Sequence, residues 1–308
     1  MLRLFAVVCT AALLESAALL DSTALSQGPA PGGQAPAGAA QPAFETRKVD
    51  GTDRVHVFRY GGAQAMFIVT PDGVIATDPI GYGRTDRGQV YLSEIRKITQ
   101  APIRYVIYSH HHFDHAAGGQ ALEDGGAVFV AHRNAKTRLE RMRDPNTVIP
   151  DETVDRSRTI RLGGTTLELT YVGLNHSDST LVMRLPAERI LFAVDFLNGG
   201  AIGGRGFIDA YPIEWEQSIE QVLRMDWDRL IPGHPGPGGR LGTRKDAEDM
   251  LAFLRYASAE VKPLAQAGQC WDGVENTVKL EKWAKYPGVD AALPFVLRRY
   301  CGLWGRGF

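Results

Sequence analysis

Apolar positions along the 308-residue chain change their spacing several times, and each change marks a predicted element. Short β-branched and aromatic runs bounded by Gly, Asp and Pro occur at 54–60, 66–70 and 74–77, the pattern of a strand meander. Residues 88–99 then carry apolar side chains at helical spacing, 105–108 is a continuous apolar run of the buried-strand kind, a helix is predicted after Asp114, and 128–130 reads as another strand. Strand patterns return at 159–162, 166–172, 180–185 and 190–194, with Gly163-Gly164 as a hairpin turn. A helix is predicted over 214–225 and a strand over 229–232. From Arg244 onward the chain is helical in pattern, with Met250, Leu251, Leu254 and Val261 on one face and a second apolar-rich segment at 283–303. Strands, helices, strands and helices again predict an α/β chain in which two sheets pack face to face with helices outside.

The two ends modify that picture. Met1-Leu2-Arg3 followed by a run of Ala, Leu and Val to Leu20 has the form of a signal peptide, with Ala24-Leu25-Ser26 as the small-residue cleavage stretch. Glu15 interrupts the run, which is short for a membrane span, so stable insertion after leader removal is not expected. Residues 27–43, rich in Gly, Pro, Ala and Gln, read as a flexible linker. The expected organisation is a leader over 1–26, that linker, a main folded domain over 44–240, and a helical extension over 241–308 packed on the same domain. Export implies a periplasmic or secreted protein, and there Cys270 and Cys301 are left as an even pair, either bridged or two buried thiols. A formal net charge of -1 offers no field that would gather nucleic acid.

The chemistry concentrates in Ser109-His110-His111-His112-Phe113-Asp114-His115, directly after the strand predicted at 105–108. Side chains alternate along a strand, so His110 and His112 point the same way and can reach one cation. Asp114 and His115, where the chain turns toward a helix, can reach a second. Imidazole with carboxylate suits zinc, with iron or manganese as alternatives. His111 points the other way and reads as a packing or bracing residue, and His56 and His132 as packing or capping residues. One strand end cannot complete two coordination shells, so further ligands are sought in later loops. His176, Asp195 and His234 each follow a predicted strand, which argues for one shared edge.

With its H-x-H-x-D-H run and these later residues, the chain resembles the metallo-β-lactamase superfamily from about Phe44 to His234. The resemblance implies an αββα sandwich. It also implies a first ion on His110, His112 and His176, a second on Asp114, His115 and His234, and Asp195 bridging both. Asp78, in Thr77-Asp78-Pro79, resembles the strand-end aspartate that braces the metal loop. The implied reaction is hydrolysis of an ester, thioester, lactone or amide carbonyl by a metal-activated hydroxide, with Asp114 orienting the nucleophile. A mono-iron oxidoreductase resembling persulfide dioxygenases, β-lactamase activity, and a non-catalytic metal-binding module are the competing readings.

Several departures bear on substrate. β-Lactamases of the superfamily usually carry Cys or Ser where Asp195 stands, whereas Asp195 resembles the bridging aspartate of glyoxalase II, lactonases and organophosphate-hydrolysing relatives. Ser-Asp-Ser follows His176 in place of Thr-Pro-Gly, and Val194 replaces the usual Gly. The Gly-rich segment 198–207 leads to Tyr211 and is predicted to line the substrate mouth, with Asn175, Arg205, Phe207 and Tyr211 as the candidate contacts.

Overall fold

The computed structural model describes residues 42–83, 86–123, 125–203 and 205–307. The leader expected over 1–26 and residues 27–41 of the expected linker lie outside the described residues. Strand β1 (Phe44–Lys48) opens a meander through β2 (Val55–Tyr60), β3 (Ala63–Thr70) and β4 (Gly73–Thr77), each antiparallel to the last. Helix α1 (Asp86–Ile98) then carries the chain to β5 (Ile103–Ile107), parallel to β4. The one-turn α2 (Phe113–Ala116) precedes β6 (Val128–His132), and α3 (Arg133–Met142) precedes β7 (Glu152–Val154), all in parallel. These strands form one seven-stranded sheet in sequence order.

The second sheet has six strands in the order β13-β12-β11-β10-β9-β8. It begins with β8 (Ser157–Leu162) and β9 (Thr165–Tyr171), joined by Gly163 and Gly164 at φ +51° and +79°. Two successive left-handed residues make the hairpin turn that matches strand twist, which only glycine adopts freely. β10 (Leu181–Leu185) and β11 (Ile190–Ala193) continue the meander, α4 (Pro212–Leu223) crosses over to β12 (Arg229–Pro232), and β13 (Gly242–Thr243) closes the edge. The tail consists of α5 (Arg244–Gln266), the short α6 (Val274–Thr277) and α7 (Val289–Arg306).

Three apolar layers hold this αββα sandwich together. Between the sheets, Val57, Met66, Ile75 and Ile107 meet Leu167, Leu181, Phe192 and Ile231. The outer face of the first sheet, including Phe67, Val106 and Phe129, is covered by Tyr91 and Ile95 of α1 and Leu139 of α3. The outer face of the second packs Val182, Leu191 and Leu230 against Trp215, Phe253, Leu254, Leu297 and Tyr300. Burying each such side chain contributes about 1.5–3 kcal/mol, so burial alone fixes the helical tail to the sandwich. Cys270 and Cys301, both buried, form a disulfide at the end of that layer.

Three features depart from the sequence reading. The helix predicted after Asp114 stops after one turn, because the chain bends away at Ala117 and Gly118 takes φ +93°. Gly118 lies against Gly81, where a Cβ would come within 2.6 Å of the Gly118 Cα. Helix α3 was not predicted, since only Ala135 and Leu139 of it are buried and the apolar period is too sparse to read. Strands β7 and β13 are too short to alternate, and β13, from beyond residue 240, joins the second sheet.

Candidate metal centre

Strands β4 and β5 run parallel, and so do β11 and β12, with β9 aligned to them through antiparallel β10. Their C-terminal ends therefore meet at one edge of the sandwich, the usual place for a site on parallel strands. Asp78 follows β4, the histidine run follows β5, His176 follows β9, Asp195 follows β11 and His234 follows β12. Asp78 and Asp195 take left-handed φ of +27° and +64°, strained conformations that Asp tolerates better than most residues and that turn the side chains into the edge. A Cβ on Gly233 would lie 2.3 Å from Val194 Cγ1 and 2.8 Å from Asp195 Oδ1, so glycine is what lets the β12 loop close over Asp195.

The side chains gather into two groups, His110, His112, His176 and Asp195, and Asp114, His115, Asp195 and His234. Within each group the ligand atoms all lie within 4.8 Å of one another. Asp195 belongs to both and divides its oxygens between them. Its Oδ2 lies 3.7 Å from His110 Nε2 and 3.4 Å from His176 Nε2. Its Oδ1 lies 3.2 Å from His115 Nε2 and 3.3 Å from His234 Nε2. Asp114 Oδ2 completes the second group at 3.8 Å from His115 Nε2 and 3.6 Å from His234 Nε2.

These residues fit metal ions on an observation independent of their identity. His110 Nε2, His115 Nε2 and Asp195 Oδ1 are buried and make no hydrogen bond. A buried polar atom left unsatisfied costs about 1–3 kcal/mol, and a cation at the centre of each group would satisfy all of them. Four of the five opposite ring nitrogens are held from outside by hydrogen bonds. His110 Nδ1 contacts Ser109 Oγ at 2.9 Å, and His176 Nδ1 meets the Gly206 carbonyl at 2.9 Å. His112 turns Nδ1 inward and gives Nε2 to Asp209 Oδ2 at 3.0 Å. His234 Nδ1 meets the Gly62 carbonyl at 2.6 Å, and His115 Nδ1 stands 3.6 Å from Asp78 Oδ2. Outer acceptors of this kind fix which nitrogen faces a metal.

The electrostatics agree. Burial pushes His110 well below the usual imidazole range, which leaves its inward lone pair free. Burial also works against charge on His115, but Asp195 and Asp114 raise it well above the ordinary value. Against its own burial cost, Asp195 is held well below the carboxylate range by His115 and His234. The carboxylates thus draw positive charge, which protons supply until a metal displaces them.

Asp78 is fully buried and accepts from the Ser109 backbone N–H at 2.7 Å, which clamps β4 to the start of the histidine run. Asp78→Ala strands that donor and removes the carboxylate nearest His115 Nδ1, and is expected to destabilise the protein by about 1–3 kcal/mol and to weaken metal binding about 10–100-fold. Thermal melting with and without chelator separates the two effects, and a variant with wild-type melting and metal content would remove Asp78 from the site.

A cavity of about 660 Å³ opens over the cluster, with Arg205, Ile208, Asp209 and Asn198 in its wall. Of the predicted contacts, Arg205 lines this cavity, Phe207 and Tyr211 line the neighbouring one, and Asn175 lines neither. Asn175 is fully buried, its Oδ1 accepting from Ser177 N and Thr180 Oγ1 and its Nδ2 bonding the Gly173 carbonyl, so it braces the His176 loop. Phe207 is buried and stacks on Trp215 at 5.0 Å, because an apolar ring inside a polar loop turns to the core. Tyr211 caps α4 and lines a neighbouring cavity. His111 bonds Ser179 Oγ at 2.9 Å and Ser177 Oγ at 3.2 Å, and burial takes it down to about 3, consistent with a neutral brace. His56 stacks on Phe67, and His132 caps α3 through Asn134 N. Asp209 was missed, because a lone acid in a loop carries no periodicity.

A model of the metallo-β-lactamase superfamily matches residues 60–234. The subunit alpha of 2,4-dinitroanisole O-demethylase from Nocardioides sp. (strain JS1661) is 26% identical over 206 residues, 66% of this chain and 61% of that protein. This chain therefore matches less than two thirds of that relative's length. A metallo-β-lactamase type 2 of Bacillus sp. (strain 170) is 28% identical over 192 residues, 61% of this chain and 72% of the other. Among solved structures, a metallo-β-lactamase from Pontibacter korlensis covers 69% of this chain and 99% of its own at TM-score 0.60 and 21% identity. A sec-alkyl sulfatase covers 85% of this chain and 50% of its own at TM-score 0.67 and 16% identity, a likeness of fold alone. With the family model matched over 60–234 and a His/Asp cluster able to hold metal ions at the shared strand edge, the chain belongs to the metallo-β-lactamase superfamily.

Proposed function

We propose that the protein is a hydrolase that holds two zinc ions and cleaves an ester, thioester, lactone or amide carbonyl of a small molecule. The observation that carries this reading is Asp195, one oxygen turned to each of two complete ligand groups. His110, His112 and His176 would hold one ion, Asp114, His115 and His234 the other, and Asp195 both. When bound, such ions polarise a carbonyl oxygen and lower the pKa of water at the site to about 7. Asp114, with its side chain 42% exposed to the cavity, is positioned to accept a hydrogen bond from the attacking water and to pass its proton toward the leaving group. Arg205, in the cavity wall and without a carboxylate partner among the described residues, is free to orient a polar end of the substrate.

A single-iron oxidoreductase is disfavoured by the complete second group, and hydrolysis of β-lactams, the activity in the name of one relative, is one arm of the test. We also propose an exported protein, which the leader pattern and a disulfide suited to an oxidising compartment support. The experiment is metal analysis and a hydrolase panel on protein recovered from the periplasmic fraction. Two zinc ions per chain with turnover of one ester, thioester, lactone or amide class is the expected result. One iron per chain, oxygen uptake and no hydrolysis would overturn it.

A further inference from the structure

Beside the metal cavity lies a second one of about 630 Å³, between the segment following residue 206 and helix α7. The two share Ile208 and Asp209 in their walls. Each has the size of a small-ligand pocket, and side by side they suit one elongated molecule better than two compact ones. The second cavity has an apolar lining that includes Phe295 and Leu303. Ile208, at the divide, is 65% exposed, an apolar side chain that a ligand crossing between the cavities would cover.

The charged groups lining this cavity are not equivalent. Asp209 is engaged by His112 at 3.0 Å, and Arg298 is paired with Glu275 at 2.6 Å. Glu214 is on the first turn of α4, partly exposed. Arg299 is partly buried, gives only its Nε to the Ala210 carbonyl, and has no carboxylate partner among the described residues. Burial draws it below the usual guanidinium value, against the pull of Tyr211, Asp209 and Glu214 nearby. A half-buried guanidinium with its two terminal nitrogens unused has the geometry to take a carboxylate, in competition with the Asp209 and Glu214 carboxylates of the same wall.

We propose that this second cavity is a substrate subsite for an apolar chain ending in a carboxylate, with the chain over Ile208 and along Phe295 and Leu303 and the carboxylate on Arg299. Which end of the molecule reacts rests on the hydrolase reading above; the binding itself does not. The substrate class is then an ester, thioester, lactone or amide whose reacting carbonyl is joined through an apolar body to a distant carboxylate.

The probe is ω-dansylamino-undecanoic acid, followed by fluorescence on the full chain, metal-stripped and zinc-loaded, with the corresponding ω-dansylamino-undecanol as the uncharged control. The wild type should bind the acid at one site and more tightly than the alcohol in both forms. Arg299→Gln should weaken the acid about tenfold and leave the alcohol unaffected. Arg299→Lys should keep a preference for the acid, which covers the case in which the glutamine variant folds poorly. Ile208→Glu, at an exposed position, should weaken both probes several-fold. Equal binding of acid and alcohol by the wild type, or acid binding untouched by both Arg299→Gln and Ile208→Glu, overturns the subsite. Hydrolysis without probe binding sinks this proposal alone, and probe binding without hydrolysis sinks the hydrolase reading alone.

Discussion

Replacing Asp195 by alanine is expected to leave one zinc ion or fewer per chain and to lower kcat/KM by at least about 10³-fold, the scale of several kcal/mol that a pair of ions contributes to a charged transition state. The size follows from geometry, since no other side chain belongs to both four-residue groups and Asp195 is only 9% exposed, so water cannot stand in for it cheaply. A pH signature should accompany the loss. Against the cost of burial, Asp195 and Asp114 raise His115, which therefore carries a proton that ligation must remove. Metal affinity of the wild type should rise with pH as that proton becomes easier to displace, and the dependence should flatten in Asp195→Ala. Metal analysis, steady-state kinetics and a chelator competition across pH read all three. Two ions per chain in the variant would show that the groups do not share this carboxylate.

The side chains of the His/Asp cluster were legible in the sequence for a simple reason. Each is anchored by a local pattern: His110 and His112 by the period of two at a strand end, and His176, Asp195 and His234 by an apolar strand run just before each. The same logic gave the layered fold, because continuous apolar runs such as β4 and β11 are buried on both faces. It failed where tertiary context decides. Phe207 and Asn175 sit beside functional residues in sequence, yet one turns to Trp215 in the core and the other spends its amide on the backbone and hydroxyl groups of its own loop. The Cys270–Cys301 bridge depends on how α7 returns past α5, which no local spacing encodes. Asp209 is the clearest instance, since only the fold brings it to His112, 97 residues away.

That contact supports the other large effect. The loop carrying the cavity-wall residues Arg205 and Ile208 also supplies outer acceptors to two histidines of the first group, the Gly206 carbonyl to His176 and Asp209 to His112. Removing such an acceptor releases the ring to rotate and exchange tautomers, so Asp209→Ala should weaken the first ion about 10–100-fold with a parallel loss of turnover. The second group, Asp114, His115 and His234, makes no hydrogen bond to this loop among the described residues, so the second ion should bind as in the wild type. Asp209→Asn retains an oxygen acceptor without the full charge and should fall between. Misfolding is a poor alternative explanation, because the Asp209 side chain is 52% exposed and its hydrogen bond to another side chain is the one to His112. Stepwise zinc titration against a chromophoric chelator resolves the two affinities. If both ions weaken together, the loop acts on the cluster as a whole; if neither does, Asp209 only borders the cavity and the orientation of His112 is set by its own backbone.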